Sequence, residues 1–150
     1  MLGLADNKKV VIVGIPGVGK TSLVTKLVEL IKQQNKTVGV HSFGTVMLEE
    51  AMKNGIKDRD ELRTLPIEKQ QELQKMAAED ISNMEDDVIL IDTHAFISTK
   101  SGFYPGLPNY VIQIMQPTNF IAITASPDEI HDRRMKDTTR NRDPVSIEDI

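Results

Sequence analysis

Apolar positions along the chain alternate between short continuous runs and longer periodic stretches. Residues 9–13, Lys-Val-Val-Ile-Val, form a β-branched run that predicts a buried strand. A Gly-rich turn over 14–20 follows. Leu23, Val24, Leu27, Val28, Leu30 and Ile31 then recur at largely helical spacing, so a helix opens at Thr21 and stops near Asn35. Residues 37–43 read as a second strand ending at Gly44, followed by a short helix carrying Val46, Met47, Leu48, Ala51 and Met52 and closed by Gly55. The charged segment 58–65 is expected to be helical, and Pro66 to occupy the first position of a longer helix with Ile67, Leu73, Met76, Ala77 and Ile81 inward. Residues 88–91 make another buried strand that ends at Asp92.

Gly102, Pro105, Gly106 and Pro108 make 95–108 mostly loop by expectation, before a short helix over 109–115. A fourth strand spans 120–124. Ser126, Pro127, Asp128 and Glu129 then supply an N-cap, a proline at the first helical position and two first-turn acids for a helix running to about Lys136. Residues 138–144 are polar and basic and read as loop; Ser146 and Asp149 give a weak helix-start signal three residues apart, just before the last residue. Strands alternating with helices predict an α/β layer fold with a mainly parallel sheet.

Composition narrows the class. With 150 residues, 39% hydrophobic and 27% charged, the chain suits one globular domain with one core. The net charge of −4 gives no basic surface for a nucleic-acid partner, and 4% aromatics with no Trp supply no base-stacking platform. The absence of cysteine excludes disulfides and Cys-ligated zinc. No apolar stretch is long enough to cross a bilayer, and residues 1–9 lack a secretory pattern, so a cytoplasmic protein without a membrane partner is expected.

The chemistry concentrates in one turn. Gly14-Ile15-Pro16-Gly17-Val18-Gly19-Lys20-Thr21 fits the pattern G-x-x-x-x-G-K-[ST], set between a predicted strand and a predicted helix. Glycines let backbone N–H groups close around phosphate oxygens, and the helix N-terminus adds its positive end. Lys20 offers a compact charge to the β- and γ-phosphates, and Thr21 a hydroxyl ligand to Mg²⁺. Asp92, at a strand's carboxyl end, either supports that Mg²⁺ or caps the following turn. His94 is either a substrate contact or a satisfied polar residue. Arg59 and Arg63, four apart, could clamp a second phosphate or simply face solvent among Asp58, Asp60 and Glu61. Arg133, Arg134, Arg140 and Arg142 sit at the end of the last helix and beyond it; arginine's planar fork suits a transferring phosphoryl group, although Asp132, Asp137 and Asp143 are interleaved.

Taken in order, several segments resemble the archaeal-type adenylate kinases of the P-loop nucleoside-monophosphate kinase superfamily. They are the phosphate loop, Ser42-Phe43-Gly44-Thr45-Val46-Met47, residues 59–66 (Arg-Asp-Glu-Leu-Arg-Thr-Leu-Pro), Asp92-Thr93-His94, Gly106-Leu107-Pro108 and Arg140-Asn141-Arg142-Asp143. The resemblance implies a P-loop α/β/α fold with five parallel strands, four visible here and a fifth expected beyond residue 150, in a single domain over 1–150 that would be truncated at its C-terminus. It implies ATP on Gly14, Ile15, Pro16, Gly17, Val18, Gly19, Lys20 and Thr21. It implies AMP near Thr45, Arg59, Arg63 and His94, on a helical segment at about 44–84. A lid at about 137–144 would bring Arg134, Arg140 and Arg142, with Lys20, round the transferring group, Mg²⁺ being held by Thr21 and Asp92. A homo-oligomer, in the family typically a trimer, is also implied. The Gly-Phe-Pro-Arg pattern of bacterial relatives is absent; Asp92-Thr93-His94 stands in its place, so base selectivity does not carry over.

Two other readings stay open: a P-loop kinase for another monophosphate or small acceptor, and a nucleotide-binding module with slow ATP hydrolysis. The chain has no Asn-Lys-x-Asp base-reading motif, which disfavours a GTPase.

Overall fold

The structure, a computed structural model, describes residues 7–15, 17–94, 96–99 and 102–136. Four strands form one parallel sheet among them: β1 (Lys8–Val13), β2 (Val38–Ser42), β3 (Val88–Thr93) and β6 (Asn119–Ala122), in the order β2-β3-β1-β6. Register pairs Val11 with Ile91 and Phe120, and Ser42 with Asp92. The carboxyl ends of β1, β2 and β3 therefore lie side by side, and the loops leaving them share one edge of the sheet.

The helices are α1 (Lys20–Gln33), α2 (Phe43–Lys53), α3 (Arg59–Thr64), α4 (Ile67–Ser82), α5 (Asn109–Met115) and α6 (Pro127–Lys136). The connection from β1 to β2 moves one way across the sheet. Those from β2 to β3 and from β3 to β6 move the other way. Right-handed crossovers therefore put α1 on one face and α2, α4 and α5 on the other. On the latter face Val11, Ile89 and Ile91 meet Phe43, Val46, Met47, Leu73, Ala77, Ile81, Val111 and Met115 in one buried cluster. Each fully buried Ile or Met there contributes about 1.5–3 kcal/mol relative to an exposed one. The opposite face buries Ile12 and Leu90, whereas the apolar stripe of α1 is only partly covered: none of Leu23, Val24, Leu27, Val28 or Ile31 is fully buried.

Four local expectations are corrected. Residues 95–108 are not mostly loop: β4 (Phe96–Thr99) and β5 (Gly102–Pro105) pair antiparallel, Thr99 with Gly102. The glycine and prolines there punctuate the ends of a hairpin instead of breaking it throughout. Phe43 opens α2 and is buried in the core, so β2 stops at Ser42. Pro66 is the N-cap of α4 with extended backbone, one position before the helix proper. β6 ends at Ala122, so Ile123 and Thr124 lie in the turn to α6. The fifth strand expected beyond residue 150, and the helix start near Ser146, lie outside the described residues.

Candidate active site

The turn after β1 is shaped by two left-handed glycines. Gly17 has φ +89° and Gly19 φ +101°, a region that L side chains rarely adopt. Gly14 is constrained by contact: a Cβ there would come within 2.7 Å of Val18 Cγ1 and 3.1 Å of the Ile123 carbonyl. Val18 N–H donates to the Ile15 carbonyl (3.3 Å), and Gly19 caps α1, whose 14 residues follow directly. The loop thus leads through two left-handed glycines directly into the N-terminus of a 14-residue helix, an arrangement that suits an anion. Pro16 lies outside the described residues. Thr21, on the first turn of α1, is exposed.

Lys20 is 8% exposed, unusual for a lysine, and its ammonium is surrounded by the end of β3. It donates to the Thr93 carbonyl (3.2 Å), lies 3.1 Å from His94 Nδ1 and 3.0 Å from Asp92 Oδ1. The Asp92 contact is a charge contact off the line of a hydrogen bond, which leaves the buried Oδ1 without a hydrogen-bond partner. His94 Nδ1 is also 3.1 Å from the Gly14 carbonyl. A protonated Nδ1 donates to Gly14, whereas an unprotonated one accepts from Lys20; the ring serves one of these at a time. Lys20, Asp92 and His94, 72 or more residues apart in sequence from the loop lysine, are therefore brought into one cluster.

The second predicted group is split. Asp58 caps α3 by accepting from Glu61 N–H (2.8 Å), and Glu61 Oε2 accepts in turn from Lys57 N–H (2.7 Å). This pair of capping bonds fixes Arg59 at the first helical position. Arg59 then donates to the Thr45 hydroxyl (2.9 Å), beside Gly44 at the start of α2. Arg63 is not brought to Thr45: its guanidinium lies 3.4 Å from Asp60 on an exposed face. Its solvated alternative is thus the arrangement seen.

At the far side of the loop, Ser126 and Glu129 form a reciprocal cap for α6, each backbone N–H bonded to the other's side chain at 3.3 Å. Ile130 is buried there, and Arg134 Cγ lies 3.1 Å from where a Cβ on Gly17 would sit. Arg140, Arg142 and the whole segment 137–144 lie outside the described residues. An open pocket of about 320 Å³ runs from the loop to the β6–α6 turn, with Val13, Ile15, Val18, Ala122, Ile123 and Ile130 in its mostly apolar lining.

Two features escaped sequence reasoning. Arg133 donates to the Val18 carbonyl (2.8 Å), yet only its place in a basic run marked it. Behind the site, Glu50 of α2 is buried and paired with Lys53, and shares a hydrogen bond with Asp80 of α4. The Lys53 hydrogen bond holds Glu50 below the usual carboxylate range, while the bond from Glu50 pushes Asp80 above it. A buried glutamate at an otherwise apolar position of α2 was the available signal. Burial raises the Tyr110 hydroxyl, which is bonded to Gln74 between α5 and α4.

The donor set suits a hard divalent cation. Asp92 carries an oxygen with unused acceptor capacity, and Thr21 offers a hydroxyl. Among the described residues no group of three or more His, Cys, Asp or Glu forms a cage. Mg²⁺ characteristically uses one or two protein oxygens together with substrate phosphates. No helix of the described residues is long and apolar enough to cross a membrane.

Comparison with known proteins agrees with this geometry. A family model described as an AAA domain matches residues 13–150. The chain is 44% identical over 146 residues to an adenylate kinase of Methanocaldococcus jannaschii, covering 96% of this chain and 76% of that protein. It is 43% identical to the adenylate kinase of Sulfurisphaera tokodaii (93% and 75%) and 43% identical to that of Pyrococcus horikoshii (94% and 71%). Among solved structures, the crystal structure of APE1195 superimposes with a TM-score of 0.52 at 22% identity, over 88% of this chain and 68% of that one, a likeness of fold.

Proposed function

The chain belongs to the adenylate kinase family, and on that premise we propose that it moves the terminal phosphoryl group of ATP to AMP, giving two ADP. The observation that carries this reading is the buried Lys20 ammonium gathered with Asp92 and His94 beside a left-handed glycine turn. A second anion-seeking pair, Thr45 and Arg59, starts from the neighbouring strand end.

Phosphoryl transfer demands positioning and charge stabilisation more than covalent chemistry. The backbone N–H groups of Gly17, Gly19 and Lys20, at the N-terminus of α1, hold the donor's β- and γ-phosphates. Lys20 exchanges the β3 carboxylate for phosphate oxygens, which frees Asp92. Asp92 and Thr21 would hold Mg²⁺, which neutralises charge on the donor phosphates when bound. The apolar pocket beside the loop suits the donor's nucleoside. Arg59, with Thr45, fixes the AMP phosphate; Arg63 joins it by leaving Asp60, and His94 faces the acceptor. Arg134, with Arg140 and Arg142 of a lid at 137–144, screens charge on the transferring group and excludes water. The same reading includes a cytoplasmic protein acting as a homo-oligomer, with a trimer the expected form; sedimentation at assay concentration tests that assembly.

A coupled assay across AMP, CMP and UMP tests the function. Saturable ADP formation with AMP alone is the expected result. Equal rates with all three would indicate a kinase of relaxed acceptor choice. ATP consumption indifferent to every acceptor would indicate a hydrolytic module and end the proposal.

A further inference from the structure

Three residues of α6 face the phosphate loop at helical spacing i, i+3, i+4. Ile130, 2% exposed, has Cγ2 within 3.5 Å of where a Cβ on Gly17 would sit. Arg134 lies against the same glycine. Arg133 donates through Nη1 to the Val18 carbonyl at 2.8 Å, and that nitrogen is 3.2 Å from the position a Cβ on Gly19 would take.

The Val18 carbonyl and the Gly19 N–H belong to one planar trans peptide, so they point in opposite directions. Fixing the oxygen toward α6 fixes the N–H on the opposite side, away from α6. A glycine has little steric barrier to rotating such a peptide, because φ on either side of zero is open to it. The glycines that let the backbone approach phosphate therefore leave this peptide free to flip unless something outside the loop restrains it. We propose that Arg133 is that restraint, a positioning residue that aims the Gly19 amide into the anion site and polarises it as a donor. The inference rests on the reading of this loop as the triphosphate site. It assigns α6 a task separate from contacting the substrate: bracing the loop before ligand arrives.

The test uses the full chain with inorganic tripolyphosphate, which has no base or ribose to contact. Calorimetry would compare wild type, Arg133→Ala and Arg133→Lys, with AMP as the control ligand, and the Gly19 amide would be followed by NMR in the ligand-free protein. In Arg133→Ala the expected result is a loss of about tenfold in tripolyphosphate affinity, the scale of one charge-assisted hydrogen bond. AMP affinity stays unchanged, the Gly19 amide resonance shifts, and Arg133→Lys recovers most of the loss. A tripolyphosphate affinity and a Gly19 resonance both unmoved in Arg133→Ala would overturn the inference. So would weakened binding with the Gly19 resonance in place, since Arg133 would then act by its charge alone. A wild-type protein that binds no tripolyphosphate would instead fail at the donor-site reading itself.

Discussion

The two anion-seeking halves of the site are built differently. The loop half is made of backbone and of a lysine buried to 8% exposure, held by β3 and roofed by α6. The proposed acceptor half is made of side chains on the surface: Arg59 and Arg63 are both exposed, and each rests on a neighbour, Thr45 or Asp60. The first has its backbone turn in place before a ligand arrives and needs only the Lys20 ammonium to leave Asp92, whereas the second rests wholly on exposed side chains that must give up their present contacts for substrate. Preorganised donors lose little on binding, whereas exposed guanidinium groups must give up side-chain entropy and water. Perturbing the loop half should therefore damage turnover, and perturbing the acceptor half should damage AMP affinity.

The largest effect is expected at Lys20. Lys20→Ala removes the charge proposed to meet the transferring phosphates and leaves Asp92 without its ionic partner. Turnover should fall by about 10²–10³-fold, as for the loss of one preorganised transition-state donor, with the KM for AMP much less affected. A variant whose main defect is in AMP binding would erase the distinction between the halves.

Arg59→Ala comes next. A charge-assisted contact to phosphate is worth about 1.5–3 kcal/mol, so the KM for AMP should rise roughly tenfold or more while that for ATP holds. Arg63→Ala should cost less, because Arg63 has to abandon Asp60 to reach substrate. Equal losses for ATP and AMP in Arg59→Ala would contradict the assignment.

Asp92→Asn sharpens the comparison from the metal side. It keeps the shape at the end of β3 but removes the charge. The Mg²⁺ concentration for half-maximal rate should then rise by about tenfold, in the range seen when a supporting carboxylate is lost. An unchanged Mg²⁺ dependence would leave Asp92 only its contact with Lys20.

The smallest effect lies behind the acceptor half, where Glu50 and Asp80 join α2 to α4. Asp80 has its pKa raised above the usual 3.8 by its bond to Glu50, so its contribution to stability is present below that value and fades as pH rises through the raised one. Glu50, lowered, works oppositely: its contribution is lost as pH falls. Asp80→Asn keeps a donor to Glu50 without ionising. Its stability relative to wild type, followed by denaturant unfolding across pH, should grow as pH rises from the acid side, by less than about 1 kcal/mol because Asp80 is solvent-screened. A difference independent of pH would show that the two acids do not share a proton.

How far the sequence could be read follows the same division. The loop was legible because its demands are local: glycines at fixed spacing, then Lys20 and Thr21, between a strand and a helix. The parallel sheet and the helices α1, α4, α5 and α6 were legible from periodicity and caps, with Ser126 and Glu129 forming the predicted start of α6. What escaped depends on contacts between distant elements. No pattern in the sequence says that Arg133 meets Val18, 115 residues away, or that Lys20 folds onto β3. Phe43 looked like a strand end because an aromatic residue suits either setting; burial under the sheet decides for the helix. The β4–β5 hairpin was hidden because glycine and proline mark both loops and the ends of strands.

A dinucleotide bisubstrate inhibitor, two adenosines joined through five phosphates, spans both halves at once. One molecule should bind per chain and exclude ATP and AMP together, and Arg59→Ala should weaken it while leaving ATP binding alone. An inhibitor that displaces ATP yet leaves AMP binding intact would show that the two halves do not form one phosphoryl-transfer site.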